Sequence, residues 1–122
     1  MFLRKGILMI LVSMLSAPVF ADSSKGADYF YDRKLGNCMG CHNPVSVVGK
    51  DKRAVLGGTM GPPLVAMKAR YPDINKLRAQ IANPRENNPF TRMPPYGPTD
   101  EGGHGILTKE QLDELVKYVH GL

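Results

Sequence analysis

Both cysteines of this chain of 122 residues lie in one five-residue run, Cys38-Met39-Gly40-Cys41-His42. Two thiols at this spacing, followed directly by an imidazole, form the attachment signature of a c-type haem. On the first turn of a helix, each thiol can add to one vinyl group of the same porphyrin, and the histidine can then reach the iron from one face. We therefore expect Cys38 and Cys41 to hold one covalently attached haem c, with His42 as its first axial ligand.

Three other kinds of site use cysteines at this spacing: a zinc site, a redox-active dithiol and a structural disulfide. A zinc site needs four ligands, and neighbours such as Cys41 and His42 rarely both reach one tetrahedral metal. Its fourth ligand would have to be His104 or His120. A thioredoxin-like dithiol needs a βαβ context, which this pattern of helices and loops lacks, and it leaves His42 unexplained. Haem attachment is therefore the preferred interpretation.

The other face of the iron needs a second ligand, or else it is open to small molecules. Met93 is the preferred candidate because Arg92-Met93-Pro94-Pro95-Tyr96 reads as an extended segment with few backbone donors, stiffened by two prolines. A methionine there can alternatively fill a gap in the core. Weaker candidates for this ligand are Met39 in the attachment loop, Met60, Met67 in an apolar run, His104 in a glycine-rich turn and His120 near the C-terminus.

A ligating imidazole normally has its second nitrogen fixed by a hydrogen-bond acceptor. Gly61-Pro62-Pro63-Leu64 resembles the Gly-Pro-x-Leu loop of class I cytochromes c, which implies that the carbonyl of Pro62 accepts from His42. An ordinary rigid loop is the alternative interpretation of this segment. Arg92 is a candidate contact to a haem propionate, although it can equally stay in water.

The N-terminus is typical of a secretory signal peptide. Two basic residues precede an apolar stretch of about 15 residues, which is shorter than the roughly 20 that a membrane-spanning helix needs. We expect cleavage after Ala21 and export, in a bacterium, to the periplasm, where c-type haem is attached. The chain would then consist of a signal peptide at 1–21 and one domain, a cytochrome c domain, at 22–122.

Composition gives no indication of nucleic-acid binding. The formal net charge is +5, and it falls to +3 without Arg4 and Lys5 of the predicted signal peptide. Two haem propionates would lower it further, to about +1. The basic residues are scattered among acids rather than gathered into a stripe. A domain of this length has a small apolar core, to which a buried porphyrin would add apolar surface.

The apolar pattern predicts three main helices, separated by loops rich in glycine and proline. Each begins at a residue whose side chain can cap a helix, and Thr108 with Gln111 forms a capping-box pattern. The second helix should stop before Pro84, because the residue preceding a proline avoids the helical region. The predicted helices run from Ser23 or Ser24 to about Leu35, from Asp73 to Asn83, and from Thr108 to the C-terminus.

Taken in order, the short motifs of the chain resemble SoxX, the monohaem cytochrome subunit of the SoxAX complexes. The resemblance runs from about Asp28 to the C-terminus. It implies an all-α, class I cytochrome c fold with His42 and Met93 on the haem iron. One departure is Asp100-Glu101-Gly102-Gly103, which lengthens the loop after Met93. The motifs that carry the resemblance are Gly36-Asn37-Cys38-Met39-Gly40-Cys41-His42, Gly61-Pro62-Pro63-Leu64, Met67-Lys68-Ala69-Arg70-Tyr71-Pro72, Met93-Pro94-Pro95-Tyr96-Gly97 and His104-Gly105-Ile106-Leu107-Thr108.

The same resemblance implies a periplasmic heterodimer with a SoxA-type cytochrome. That complex couples thiosulfate oxidatively to a cysteine of a sulfur-carrier protein, and electrons leave through haem to an acceptor such as another cytochrome c. This subunit alone need not be an enzyme, since Cys38 and Cys41 are used for haem and leave no thiol for a sulfur adduct. The alternatives are a free-standing class I cytochrome c shuttle and, less favoured, a haem enzyme or gas sensor with an open iron site.

Overall fold

The computed structural model describes residues 24–122, and the predicted signal peptide, 1–21, lies outside them. Within the described residues the chain is helix and loop, with one isolated bridge between Val48 and Asp51 and no strand. None of the described helices is long and apolar enough to cross a membrane. The α-helices are α1 (Ser24–Tyr31), α2 (Met67–Arg70), α3 (Ile74–Ala82) and α4 (Lys109–His120), and single 3-10 turns occur at Cys38–Gly40, Val45–Val47, Pro84–Glu86 and Thr99–Glu101.

Side-chain caps start α3 and α4 where the sequence predicts them. The carboxylate of Asp73 accepts from the backbone N–H of Asn75 at 2.9 Å. At α4, the Thr108 hydroxyl accepts from the Gln111 N–H at 3.2 Å, and the Gln111 side chain accepts from the Thr108 N–H at 2.9 Å. Each such cap contributes about 1 kcal/mol. Both predicted helix starts are therefore confirmed.

The first helix ends at Tyr31, four residues before the predicted end at Leu35. Asp32 ends it, because its carboxylate accepts from the N–H of Lys34 at 2.7 Å and so stabilises a turn in place of the next helical turn. The N–H of Gly36 then donates to Tyr29 O at 3.0 Å, which folds the chain back over α1. This reversal brings the cysteine run against the core rather than away from it.

The core forms where α1 and α3 pack against α4. Phe30 and Leu112 are fully buried at this junction, and the Phe30 ring meets the Tyr118 ring edge-on with centroids 5.3 Å apart. The crossing of α1 and α4 is close at Gly26, where any side chain would overlap the backbone of Glu114. This all-α arrangement confirms the predicted class I cytochrome c fold, and it places α3 and α4 as the walls of one cavity.

Candidate haem site

A cavity of about 400 Å³ opens beside the cysteine run. Cys38, Cys41, His42 and Met93 all line it, together with apolar side chains of α3 and α4. Cavities of this size and mainly apolar lining are typical of cofactor sites. A c-type haem requires two thiols for covalent attachment, and an imidazole and a thioether as iron ligands. All of these groups lie on this one cavity. The residues present therefore fit this group.

The two cysteines are held by a 3-10 turn rather than by the first turn of an α-helix. Asn37 starts the turn in the left-handed region, with φ 46°, which asparagine tolerates better than most residues. The N–H groups of Cys41 and His42 both donate to the carbonyl oxygen of Cys38, at 3.2 and 2.9 Å. The turn therefore presents both sulfur atoms and the imidazole within five residues.

Burial raises the pKa of the Cys38 thiol to about 12. A redox-active dithiol needs the opposite shift, because its attacking sulfur must be a thiolate near neutral pH. Both cysteines are free in the structure, so no disulfide joins them. Cys38 is therefore poorly suited to be the attacking sulfur of a dithiol.

The ring of His42 is held from two directions. Its Nδ1 lies 2.7 Å from the carbonyl oxygen of Pro62, so the proton on Nδ1 donates to that oxygen and the lone pair of Nε2 is available to a metal. Gly61 lies against the flat of the ring, since a Cβ there would overlap three ring atoms. The contact between His42 and Pro62 is the one that the Gly-Pro-x-Leu resemblance implies.

The loop before Pro62 wraps closely around the backbone of the cysteine run. The N–H of Gly58 donates to Met39 O at 2.9 Å, and the N–H of Gly61 donates to Cys41 O at 2.8 Å. A side chain at Gly57 or Gly58 would overlap this backbone. Sequence reasoning did not assign these two glycines a role, although a glycine pair between two motifs is a signal of close backbone approach.

Arg70 is a further residue of the site that was assigned no role from the sequence. Its Nη1 donates to the carbonyl oxygen of Pro63 at 2.7 Å and lies 3.3 Å from the Met67 sulfur. It also lines the cavity. Arg70 therefore fixes the peptide next to the one that accepts from His42. Its position in a motif of the SoxX resemblance was the available signal, but nothing in the sequence indicated this contact.

Met93 is half-buried on the cavity wall, and its N–H donates to the Thr91 hydroxyl at 3.2 Å. Two residues further on, Pro95 is fully buried. Burial raises the pKa of the Tyr96 hydroxyl to about 12, so this phenol is neutral at physiological pH. Arg92 is exposed but also lines the cavity, where its guanidinium can meet an anionic group at the cavity mouth.

The other methionines occupy different positions. Met39 lines a separate depression beside Arg33 and Arg53, not this cavity. Met60 lies at the cavity but is 64% exposed, and its sulfur is 4.0 Å from Cys41 Sγ. Met67 is 2% exposed and is part of the core cluster. Of the methionines on the cavity wall, Met93 is the one that is half-buried, whereas Met60 is exposed and Met67 belongs to the core cluster.

The remaining histidines do not line the cavity. His104 is exposed, with Nε2 3.4 Å from Arg85 Nη1. His120 Nε2 lies 2.9 Å from the carbonyl oxygen of Tyr71. Among residues 24–122 there is no group of three or more Cys, His, Asp or Glu residues placed to hold a metal ion. The zinc alternative therefore has no fourth ligand in the described part of the chain.

Comparison with known proteins agrees with this geometry. The model of the family described as Cytochrome c matches residues 23–122. A protein of Aquifex aeolicus (strain VF5) named "Uncharacterized lipoprotein" is 31% identical over 87 residues, which is 71% of this chain. The chain spans 37% of the length of that relative. This chain therefore belongs to the cytochrome c family, and it is a haem-binding electron-transfer protein with covalently attached haem c.

Proposed function

We propose that this chain is the electron-relay subunit of a SoxAX-type complex, which couples thiosulfate to a cysteine of a sulfur-carrier protein. One observation supports this most strongly: four of the motifs that resemble SoxX contribute side chains or backbone to the same cavity. Their contributions include Cys38, Pro62, Arg70 and Met93. Motifs that are spread over some 60 residues of sequence thus act on one site, as expected if the resemblance concerns a common haem environment.

In this proposal Cys38 and Cys41 form the thioether links, and His42 and Met93 are the axial ligands. Pro62 O holds the ring of His42 in one tautomer, which keeps Nε2 available to the iron. With a histidine and a methionine as ligands, haem supplies a one-electron couple of raised potential. As the second ligand, Met93 would also fill the coordination position at which oxygen or peroxide could react, which would suit the chain to electron transfer.

The sulfur chemistry is assigned to the partner because the chain has only two cysteines. Both line the haem cavity, and neither is available to form a bond to thiosulfate sulfur once it is joined to porphyrin. Oxidative coupling of thiosulfate to a carrier thiol releases two electrons. We assign this chain the acceptance and onward transfer of those electrons, one at a time, to a downstream acceptor such as another cytochrome c.

We also propose that the chain acts in the periplasm, as a heterodimer with a SoxA-type cytochrome. Export is supported by the leader pattern at 1–21, which lies outside the described residues, and by the similarity to a protein named as a lipoprotein. The family implies haem c, which bacteria attach in that compartment. The heterodimer rests on the SoxX resemblance of the motifs around the cavity.

Coexpression with a SoxA-type partner and a c-haem maturation system tests the proposal. The complex is purified through this chain, and the visible spectrum of its haem is followed after addition of thiosulfate and the sulfur-carrier protein. The proposal predicts copurification and haem reduction that requires the carrier cysteine, with a Cys→Ser carrier as the matched control. A protein that purifies alone, with haem that thiosulfate and carrier leave oxidised, would instead indicate a free-standing cytochrome c shuttle.

A further inference from the structure

We propose that Arg78 is a positioning residue for the haem: it clamps the loop 98–107 to α3 and α4 and thereby holds Met93 at the iron. This inference rests on the proposed role of Met93 as the second axial ligand. Arg78 itself is not part of the cavity lining. Its action is therefore indirect, through the chain segments described below.

Arg78 joins three elements by ionic contacts. Its Nη1 and Nη2 donate to the two carboxylate oxygens of Glu101, at 2.5 and 3.1 Å, and its Nε donates to Asp113 at 2.6 Å. Arg78 lies on α3, Glu101 on the 3-10 turn after the Met93 segment, and Asp113 on α4. The side chains of Arg78 and Glu101 are 24% and 25% exposed, so water screens this pair less than a fully exposed one.

The loop anchored by Glu101 pairs closely with residues 93–97, which we call the Met93 segment. The N–H groups of His104, Gly105 and Leu107 donate to the carbonyl oxygens of Pro95, Gly97 and Tyr96, each at 2.9 Å. A side chain at Gly103 would overlap the backbone of Gly97. These contacts transmit any displacement of the loop to the Met93 segment, because their partners lie two to four residues from the thioether.

The other edge of the Met93 segment is fixed to the end of the helix that carries Arg78. The N–H groups of Tyr96 and Gly97 donate to the carbonyl oxygens of Ile81 and Ala82, at 3.2 and 3.0 Å. Those residues form the last turn of α3, one turn beyond Arg78. The segment is therefore held between α3 and the loop, and Arg78 is the ionic contact that keeps these two together.

The clamp also gives a role to the loop extension. Asp100-Glu101-Gly102-Gly103 is the departure from the SoxX pattern, and Glu101 within it is the bidentate partner of Arg78. Among residues 24–122, no other ion pair reaches this loop. Glu101 therefore adds an ionic anchor to the backbone hydrogen bonds that already hold this loop.

The clamp is tested by adding imidazole to the oxidised, haem-loaded protein and measuring the rate at which it replaces Met93. This rate reports how often the Met93 segment opens. We expect Arg78→Ala to raise this rate about tenfold and Arg78→Lys to raise it less, since lysine retains the charge without the bidentate geometry. The matched control is Arg53→Ala, which removes an arginine that also bridges two carboxylates, on Asp28 and Asp51. That variant should change the rate less than about twofold.

Amide hydrogen exchange provides a second measurement, which Glu101→Gln allows even if Arg78→Ala does not fold. The amides of Tyr96, Gly97 and Leu107 should exchange faster in Glu101→Gln than in the wild-type protein, with α1 amides unchanged. Equal imidazole rates in Arg78→Ala and Arg53→Ala, or exchange unchanged in Glu101→Gln, would overturn the clamp while leaving the assignment of Met93 intact. Retention of the methionine-to-iron charge-transfer band in Met93→Ala would instead overturn that assignment.

Discussion

Gly61→Ala should disturb the haem through His42, and the structure gives the size of the effect. A Cβ at Gly61 would lie 2.6 Å from Nδ1 and 2.7 Å from Nε2 of the ring, whereas carbon makes ordinary contacts at about 3.5 Å or more. The ring must therefore move by about 1 Å. Because the Cβ pushes on the flat of the ring, this shift tilts the hydrogen bond from Nδ1 to Pro62 O, now 2.7 Å long, out of the ring plane and so weakens it.

A weaker hydrogen bond lowers the basicity of the imidazole, and a weaker donor stabilises the oxidised iron less. The haem reduction potential should therefore rise. Complete loss of such a contact typically weakens the metal–ligand interaction by about tenfold. For a one-electron couple, a tenfold effect confined to the oxidised state corresponds to about 59 mV. The weakened hydrogen bond should therefore raise the potential by up to about 59 mV. Pro62 is exposed, so water can satisfy its carbonyl, and the stability of the protein should change little.

The assay is a spectroscopic redox titration of the haem-loaded protein. Gly121→Ala is the matched control, because Gly121 has φ −81°, which alanine adopts freely, and a Cβ there would approach nothing closer than 3.3 Å. We expect Gly61→Ala to have the higher potential and Gly121→Ala to match the wild-type value. Equal potentials in the two variants would refute the argument that Gly61 and Pro62 together orient His42.

Three further results are expected. Met93→Ala should lose the methionine-to-iron charge-transfer band of the oxidised protein, whereas Met60→Ala should keep it. Phe30→Ala should lower the free energy of unfolding by about 3–5 kcal/mol in denaturant titrations, because Phe30 is fully buried. Hydrogen bonds from Arg78 lower the pKa of Glu101 in the folded protein. The stability that they contribute is therefore present above the ordinary glutamate pKa, and it is lost as the pH falls through the lowered pKa of Glu101. Urea titrations at a series of pH values should show this loss in the wild-type protein and not in Glu101→Gln.

The sequence predicts well the features that local chemistry determines. The starts of α3 and α4 follow from the caps at Asp73 and Thr108, whose side chains act on backbone within three residues. The cysteine run specifies covalent haem c because its chemistry is contained in five residues. The predicted end of α1 at Leu35 was wrong, because Asp32 forms a local turn after Tyr31. The apolar spacing of Leu35 does not reveal this competition between the Asp32 side chain and the helical backbone.

Features that depend on tertiary contacts were not predictable from the sequence. α2 is a single turn that starts after Ala66 in the left-handed region, and four residues are too few for a periodic pattern. The contact of Arg70 with Pro63 O and the ion pairs of Arg78 join residues that only the fold brings together. Neither arginine was assigned a contact or a role from the sequence.

The proposed function depends on Met93 as the methionine that completes the iron coordination opposite His42. The most direct test is NMR of the reduced haem-loaded protein with isotopically labelled methionine methyl groups, assigned by single substitution among the seven methionines of the chain. Because a methyl group on an axial sulfur lies above the porphyrin, its resonance is displaced strongly upfield by the ring current. We expect the displaced resonance to belong to Met93. A displaced resonance assigned to Met60 or Met67, or none at all, would contradict it.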